Sequence, residues 1–408
     1  MVERQLPKLK IAGPIPVSRS NTLYGGIIMA YSVTKHQSYG SRIINSFVGV
    51  LIGIGLIIGM SFMLFWNEGR YNPADLAVEA QEVTSLNAES LEGQLVWYKG
   101  TLSGGPMVYD TIITNANYIA LNRTAEVYAW IEEEHSHTTN NTGGSSDTTY
   151  TYTHNLGWTN SPVNPTSFKD PDYRNLPLAV AAYNNAPFIN TDVSTADFDI
   201  DIATLEIDGE RDLTLNSSTV NDLTAQPDLS ISGNYIYCKA LGSTGPATPS
   251  FGDTRLSYTY IPATLEGVLL GKVEGDSIVS YSNDDAKLYR FFQVSTLEQV
   301  VAQLDSEHTS STWMYRIIGT ILMCVGFALL TGPFSTILMV LPFLGNASKF
   351  ILGIISFLVG AVFSFLVIVI SAILHNLIAL IIALAIIILL VIIGVNKSKK
   401  KKLSKAKR

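Results

Sequence analysis

The sequence carries little charge and almost no cysteine. Only 15% of its 408 residues are charged and 47% are hydrophobic, whereas a soluble domain has about 25% charged residues. This balance excludes a simple soluble protein. The two cysteines, Cys238 and Cys324, lie in a polar and an apolar region, so we do not expect them to pair. The fold therefore needs no disulfide, and neither cysteine has the spacing of a metal ligand.

Catalytic motifs are also missing. The chain has no His-Glu-x-x-His, no Gly-x-Ser-x-Gly and no glycine-rich phosphate loop, so we predict no enzyme activity, no cofactor and no metal site. Two acidic stretches offer alternatives: residues 132–137 have the donor types of a metal site, and Asp197, Asp199 and Asp201 have the spacing of a calcium loop. Ile202 stands where a calcium loop needs glycine, so the wet side of a strand explains these aspartates better.

Acidic and basic residues are unevenly distributed. Residues 71–312 hold 32 acidic residues against 10 Lys and Arg, whereas residues 397–408 hold eight Lys and Arg and no acid. An acidic region of this size repels phosphate, which excludes nucleic acid as its partner. The basic tail suits the anionic cytoplasmic face of a membrane, or it acts only as a stop-transfer signal.

Four apolar runs, uncharged except for Arg316 near the start of the second, are long enough to cross a bilayer core of about 30 Å, which takes about 20 helical residues. We predict transmembrane helices at residues 47–66, 313–336, 350–374 and 377–395. A tight turn at His375 and Asn376 separates the last two. The lipid bilayer is thus the first predicted partner.

Positive charge near the ends of membrane helices is retained in the cytoplasm. The N-terminal segment 1–46 has six Lys and Arg against one acid, so this segment and the polybasic tail 396–408 are both predicted to be cytoplasmic. Four crossings then place residues 67–312 outside the cytoplasm. Residues 337–349, which follow Pro333, form a cytoplasmic or interfacial segment.

The outer end of the first helix supplies a candidate interface. Trp66 and Trp313 are predicted to lie at the membrane interface, where an indole is favoured. The residues that follow the first helix are Asn67, Glu68, Gly69 and Arg70. An ion pair or a helix cap is the simplest explanation of Glu68 and Arg70, and a contact surface with the outer domain is the alternative.

Small residues at four-residue spacing predict close helix packing. They are Gly49, Gly53, Gly55, Gly59, Ser356, Gly360 and Ser364. We expect most of these contacts within one bundle. Contact between protomers of a homo-oligomer is the alternative.

The acidic region has the pattern of a β domain. Aromatic and β-branched runs predict strands that begin at Gln94, Ala125, Tyr150, Tyr235 and Arg255, and Ser295 and Thr296 cap a closing helix. A faint repeat aligns residues 93–100 with 233–240, and Tyr128–Ile131 with Tyr258–Ile261. It favours two OB-like or barrel-like modules, and chance similarity is the alternative. Asn122, Asn140 and Asn216 are sequence acceptors for N-glycosylation.

These features together predict a membrane α-helical protein with four transmembrane helices, one before and three after a large extracytoplasmic β-rich α+β domain. Several blocks, in this order, resemble one family. They are Ser41-Arg-Ile-Ile-Asn-Ser, Phe65-Trp-Asn-Glu-Gly-Arg, Glu126-Val-Tyr-Ala-Trp-Ile-Glu, Gly252-Asp-Thr-Arg-Leu-Ser-Tyr and Pro342-Phe-Leu-Gly. The chain resembles the transmembrane protein 43 (LUMA) family over residues 41–395.

That resemblance implies a multi-pass protein of the endoplasmic reticulum and inner nuclear membrane that organises membrane protein complexes, in animals with emerin and lamins. The third helix here ends in His375-Asn376 rather than in the aromatic-Arg-Pro turn of the animal proteins, and the outer domain is more acidic. The resemblance therefore implies a scaffold role for this chain, but it does not imply emerin and lamins as its partners. In an organism without a nucleus, the plasma membrane is the expected location.

The leading hypothesis is a non-enzymatic membrane scaffold whose outer domain binds other membrane proteins or a second copy. The alternative is an oligomeric channel-like or lipid-interacting protein, in which the segment between Pro333 and Gly345 is the working part. A membrane-anchored hydrolase is disfavoured because no triad or metal spacing is present. Met29 is an alternative start of translation.

Overall fold

A computed structural model of the chain describes residues 17–20, 30–105, 110–114, 118–175, 184–221, 223, 228–239, 248–283, 286–340, 342–376, 378, 380–382, 384–386 and 388. The chain divides into two compact units. The β unit comprises Met1–Lys35, Pro73–Thr138 and Thr148–Leu304, and the helical unit comprises His36–Asn72, Thr139–Asp147 and Asp305–Arg408.

The elements follow one another along the chain with most strands between the first and the last helices. The strands are β1 (Val17–Ser20), β2 (Ala30–Gln37), β3 (Gln81–Glu82), β4 (Leu95–Gly104), β5 (Tyr118–Asn140), β6 (Ser146–Thr159), β7 (Ala186–Ile189), β8 (Val193–Ser194), β9 (Asp199–Ile200), β10 (Glu206–Ile207), β11 (Arg211–Asp212), β12 (Leu229–Ser232), β13 (Tyr235–Cys238), β14 (Thr254–Pro262), β15 (Thr264–Glu274), β16 (Ser277–Val279), β17 (Tyr281–Ser282), β18 (Lys287–Leu288) and β19 (Arg290–Phe292). The helices are α1 (Tyr39–Glu68), α2 (Pro73–Ala77), α3 (Leu297–Leu330), α4 (Gly332–Leu338) and α5 (Pro342–His375), with a 3-10 helix at Ala88–Leu91.

Five strands of the β unit close into a barrel. Strand β4 pairs with β15, β15 with β16, β16 with β9, β9 with β8 and β8 with β4, so the ring of hydrogen-bonded neighbours is complete. All of these pairings are antiparallel except the parallel pair of β9 and β16. Numbered along the chain, the five strands run 1-2-3-5-4 around the ring, which is the Greek-key order of an OB-fold barrel.

Alternating residues of β4 and β15 fill the barrel and cover its outside. The inward residues include Val96, Tyr98, Leu102, Leu265, Leu269 and Val273. The outward residues Leu95, Val268 and Leu270 are also buried, because α2 and the first turns of α3 pack over them. The middle of β15 is therefore buried on both faces, whereas Glu266, Lys272 and Glu274 alternate with buried residues at its two ends.

The second sheet is built from the N-terminal strands β1 and β2 and from two insertions into the barrel. The chain between β4 and β8 supplies β5, β6 and β7, and the chain between β9 and β15 supplies β11 to β14. The strand order is β1-β2-β6-β5-β14-β13-β12, with β7 beside β5 and β11 beside β14. One face covers an apolar cluster around Leu121, Ile236 and Leu256, and the opposite face carries polar and aromatic residues of the same strands.

The first match of the faint repeat falls in two different sheets, whereas its second match lies in the neighbouring strands β5 and β14 of one sheet. Residues 93–100 lead into β4 of the barrel, and residues 233–240 lead into β13 of the second sheet. Gly93 and Gly233 both have positive φ, at 75° and 59°, so the shared pattern is a glycine turn before a strand. The described pairings contain one closed barrel, and the prediction of two such modules is corrected to one barrel and one open sheet.

Three helices are long and apolar enough to cross a membrane: α1, α3 and the part of α5 from Phe350 to His375. The predicted fourth span, 377–395, lies mostly outside the described residues, although its described positions are helical. The chain is therefore a membrane protein with a β-rich domain and, among its described residues, three helices of membrane-spanning length. The predicted count of four is not confirmed.

Helix α3 differs from the predicted arrangement of a closing helix followed by a separate span at 313–336. It is one continuous helix of 34 residues, which begins after Thr296, whose hydroxyl accepts a hydrogen bond from the Gln299 amide at 3.3 Å. It ends at Leu330 because Pro333 lacks the amide proton that a continuing helix needs. The following residues form the short helix α4.

Candidate functional site at the end of the first helix

The candidate interface predicted from Asn67, Glu68, Gly69 and Arg70 lies within the helical unit, where the C-terminal end of α1 meets the segment of α3 from Ser311 to Arg316. Helix α1 ends at Glu68, and the Gly69 amide donates to the Trp66 carbonyl at 3.1 Å. The side chains of Asn67, Glu68 and Arg70 then form hydrogen bonds with α3.

Glu68 forms a bidentate ion pair with Arg316 of α3. Its two carboxylate oxygens accept from Arg316 Nε at 2.8 Å and from Nη2 at 2.7 Å. The Glu68 side chain is only 4% exposed and the Arg316 side chain 25%. A two-point pair of this geometry fixes the rotation and height of α1 against α3. Glu68 thus forms an ion pair, as the simplest explanation of these residues expected, but within the described residues its partner is Arg316 of α3, and Arg70 contacts α3 separately.

Arg70 is held by two hydroxyl groups and two aromatic rings. Its Nη2 donates to Ser311 Oγ at 2.9 Å and to Thr312 Oγ1 at 3.0 Å. The guanidinium carbon lies 5.6 Å from the centre of the Trp66 ring and 5.0 Å from that of Tyr315. Cation–π contacts of this kind orient the planar guanidinium and stabilise its charge.

Asn67 and Gly69 complete the contacts at this helix end. Asn67 is 1% exposed and its Nδ2 donates to the Thr312 carbonyl at 3.2 Å. A Cβ at Gly69 would collide with the imidazole of His375, whose ring also lies 4.6 Å from that of Phe65. His375, the last residue of α5, therefore requires a residue without a side chain at position 69.

Trp66 and Trp313 are both exposed, at 51% and 56%. Trp66 packs edge-on against Tyr315 at 6.1 Å, and Arg316 lies 4.9 Å from the Trp313 ring. The two indoles thus flank the ion pair and the Arg70 contacts on the surface of the helical unit. Their location at the outer membrane interface stays a prediction.

The predicted packing residues divide into two groups. Within the bundle, Gly53 lies against the Gly326 carbonyl, and Gly360 lies against the backbone of Cys324. Gly49 touches Leu329, and Ser356 and Ser364 are 2% and 0% exposed. Ser364 Oγ is 2.6 Å from Thr320 Oγ1.

Gly55 and Gly59 form the second group. A Cβ at either position would meet no atom within 4 Å in the described part of the chain. Both residues are exposed on α1. The expectation of packing within the bundle therefore does not account for them.

The three glycosylation acceptors differ in accessibility. Asn216 is exposed, and its side-chain oxygen accepts from the Ser218 amide at 2.8 Å. Asn122 lies within β5, near its start, and its side chain donates to Glu210 at 2.7 Å, which makes it a poor glycosylation acceptor. Asn140 is the last residue of β5, at the tip of the hairpin.

The hairpin tip contacts the N-terminal end of α1. The Arg42 side chain is buried, and its Nη1 donates to the Gly144 carbonyl at 2.8 Å and to the Ser145 carbonyl at 3.2 Å. The predicted topology places Arg42 in the cytoplasm and the tip outside it. Because a bilayer core of about 30 Å would separate them, the predicted topology and this contact exclude each other. Glycosylation of Asn140 distinguishes the two arrangements.

The acidic alternatives for metal binding find no support among the described residues, which contain no group of three His, Cys, Asp or Glu side chains arranged around one point. Asp197, Asp199 and Asp201 are exposed and alternate with the more buried Phe198 and Ile200. The alternation agrees with the predicted wet side of a strand, although only Asp199 lies in a strand, the two-residue β9.

The other acidic stretch is occupied by a local contact. Glu132 accepts from His154 Nε2 at 2.9 Å and from the Lys169 amide at 2.9 Å, and the other two Glu of residues 132–137 are exposed. The two cysteines remain free thiols. Burial raises the pKa of Cys238 to about 12, so its thiol is unreactive in the folded β unit.

Sequence reasoning missed the partners supplied by α3 and α5, namely Ser311, Thr312, Tyr315, Arg316 and His375. The available signal was the run Trp313-Met-Tyr-Arg at the start of an apolar span. A lone arginine at the edge of such a span needs a carboxylate partner, and Glu68 is the acid at the matching end of the first span.

The helices and the β-rich domain define a membrane protein with a large domain outside its apolar helices. The sequence model of the family described as Transmembrane protein 43 matches residues 127–377. This match spans more than half of the chain, and the chain belongs to the transmembrane protein 43 family, as the motifs indicated. No curated protein and no solved structure matches it.

Proposed function

We propose that this protein is a non-enzymatic multi-pass membrane scaffold that holds partner membrane proteins, or a second copy of itself, through its β unit. The charge distribution favours both termini in the cytoplasm and the β unit on the other side of the membrane. The contact between Arg42 and the hairpin tip requires instead that the tip lies on the same side of the membrane as the start of α1. In a eukaryote the location is the endoplasmic reticulum or inner nuclear membrane, and in a prokaryote the plasma membrane. Family membership and the three apolar helices support the membrane part of this proposal.

The observation that carries the proposal is a surface on the second sheet, opposite its apolar cluster, which we call the aromatic–arginine surface. Its members are Glu126, Tyr128, Trp158, Tyr235, Tyr237 and Arg255, all half-buried. Register places Tyr237 beside Arg255 and Arg255 beside Glu126 on neighbouring strands. These residues therefore form one continuous row across the sheet.

The aromatic–arginine surface is ordered by its own contacts. Arg255 Nε donates to Glu126 at 2.6 Å, and its guanidinium lies 4.7 Å from the Trp158 ring and 4.1 Å from the Tyr235 ring. Trp158 also packs against Tyr128 and Tyr237, with ring centres 5.2 and 5.7 Å apart. Trp, Tyr and Arg dominate the binding energy of protein interfaces, and rings already held in place lose little freedom on binding.

Crosslinking mass spectrometry of the full-length protein in its native membrane, combined with proximity labelling, tests the proposal. Trp158→Ser and Tyr237→Ser should each remove the same partners from the labelled set, and crosslinks should involve residues 71–312. Tyr281→Ser is the matched control, because Tyr281 is also a half-buried ring but lies in the β17–β18 ladder. Its partner set should remain that of the wild type.

An unchanged partner set in both surface variants would overturn the assignment of the aromatic–arginine surface. Recovery of only self-crosslinks between membrane helices would overturn the scaffold and favour the channel-like alternative. One contact argues against a pore within the bundle. The hydroxyls of Thr320 and Ser364 form a hydrogen bond with each other, so they do not line a polar path.

A further inference from the structure

The charge of Arg70 has no counter-ion in the described part of the chain. Both groups bound to its Nη2 are neutral hydroxyls, those of Ser311 and Thr312. The neighbouring acid, Glu68, is saturated by its bidentate pair with Arg316. The cluster of one carboxylate and two guanidinium groups therefore keeps one net positive charge at the end of α1.

The remaining hydrogen-bonding capacity of Arg70 is restricted to the edge of its guanidinium plane. Trp66 and Tyr315 lie beside the guanidinium group. Its Nε is buried without a hydrogen-bond partner, and within the described residues its Nη1 makes no hydrogen bond either. Because Nη2 already donates to two hydroxyls and Nε is buried, Nη1 is the donor that remains for an anion. A guanidinium without a counter-ion binds a phosphate oxygen through such a charge-assisted hydrogen bond.

The position of Arg70 indicates which phosphate is available. It follows α1, a helix of 30 residues that is long and apolar enough to cross a membrane. Trp66 and Trp313 are exposed beside it, and exposed indoles at the end of such a helix lie at the level of the lipid headgroups. Phospholipid phosphates are concentrated at this level.

We propose that Arg70, with Trp66 and Tyr315, forms a binding site for the headgroup phosphate of a phospholipid at the end of α1. The acyl chains then lie along the apolar surface of α1, where Phe62 is 72% and Ile58 65% exposed. This site would attach a lipid to the junction of α1 and α3. It does not depend on the scaffold function proposed above.

Native mass spectrometry of the full-length protein, extracted in mild detergent from membranes of phosphatidylcholine and phosphatidylglycerol, tests the site. Wild-type protein should retain a phospholipid, and Arg70→Gln should retain it about tenfold more weakly, since one charge-assisted contact is lost. Arg174→Gln is the charge-matched control, because Arg174 is exposed in the β unit. It should retain lipid as the wild type does.

Loss of structure is separated from loss of charge by Thr312→Val. This variant removes a hydroxyl that holds Arg70 but leaves the guanidinium in place, so it should loosen α3 yet keep most of the bound lipid. Equal lipid retention by wild type and Arg70→Gln would overturn the proposal. So would complete displacement of the lipid by excess inorganic phosphate, which would show a site for free phosphate.

Discussion

Replacing Arg316 by methionine should strongly destabilise the helical unit. Glu68, with a side chain only 4% exposed, would lose both of its charge-assisted hydrogen bonds. Loss of one partner of a buried ion pair costs about 3–5 kcal/mol. Because the Arg316 side chain is 25% exposed, water already screens part of the pair, and we expect the lower end, about 3 kcal/mol.

The two cysteines allow each unit to be measured separately. Cys324 lies in the helical unit at 8% exposure, and Cys238 lies in the β unit at 7%. In a Cys238→Ser background, the rate of labelling of Cys324 by a thiol reagent under native conditions reports opening of the helical unit. Arg316→Met should accelerate it about 100-fold, the equivalent of about 3 kcal/mol. In a Cys324→Ser background, labelling of Cys238 should remain unchanged.

A double-mutant cycle and an exposed ion pair supply the controls. Glu68→Gln combined with Arg316→Met should be less destabilised than the sum of the single variants by more than about 1 kcal/mol. The exposed ion pair is that of Lys272 and Glu274, whose side chains are 32% and 62% exposed. Lys272→Met should change the rate of Cys238 labelling by less than about threefold. Cys324 labelling that rises less than about threefold in Arg316→Met would refute a structural role for the ion pair.

Three further predictions concern separate features of the molecule. Gly53→Ala should accelerate Cys324 labelling by about tenfold or more, because the new Cβ would lie 2.7 Å from the Gly326 carbonyl oxygen. Gly55→Ala should leave the labelling rate unchanged or lower it. Equal effects of the two variants would contradict the packing described for α1. When the protein is translated in the presence of microsomes, Asn140 should be glycosylated if the predicted topology holds. Glycosylation is detected as a mass shift that is lost in Asn140→Gln. An unmodified Asn140 would favour the contact between the hairpin tip and the start of α1. Burial raises the pKa of Tyr289 to about 12, so the unfolded chain loses this proton at a lower pH than the folded protein does. The free energy of unfolding should therefore fall by about 2 kcal/mol as pH rises from about 10 to 12. Denaturant unfolding of Tyr289→Phe should show a smaller fall, and a fall equal to that of the wild type would contradict this prediction.

The sequence was most informative where one physical property dominates. Apolar runs near 20 residues and their flanking charges located the three described membrane-length helices and the β-rich domain between them. The aspartates near Asp199 were assigned to the wet side of a strand because alternation is a local property of the chain. Thr296 was recognisable as a helix cap for the same reason, since the hydroxyl bonds to an amide three residues later.

The barrel and the ion pair depended on contacts between distant parts of the chain. Strands β8 and β9 have two residues each, too short for a local pattern to indicate their pairing partners, and the second sheet interrupts the barrel between β4 and β8. The repeat around Gly93 and Gly233 marked two similar turns, and turn geometry does not specify which strand pairs with which. Pairing is decided by burial of the whole sheet.

Sequence by itself determined that this is a membrane protein of the transmembrane protein 43 family and where its apolar helices lie, because membrane length and family motifs are properties of continuous segments. Tertiary structure alone decided that Glu68 pairs with Arg316 rather than with Arg70, which of the small residues are buried, and which strands close the barrel. These outcomes depend on which faces of separate helices and strands meet, and a lone arginine at the edge of an apolar span indicates only that an acidic partner is needed.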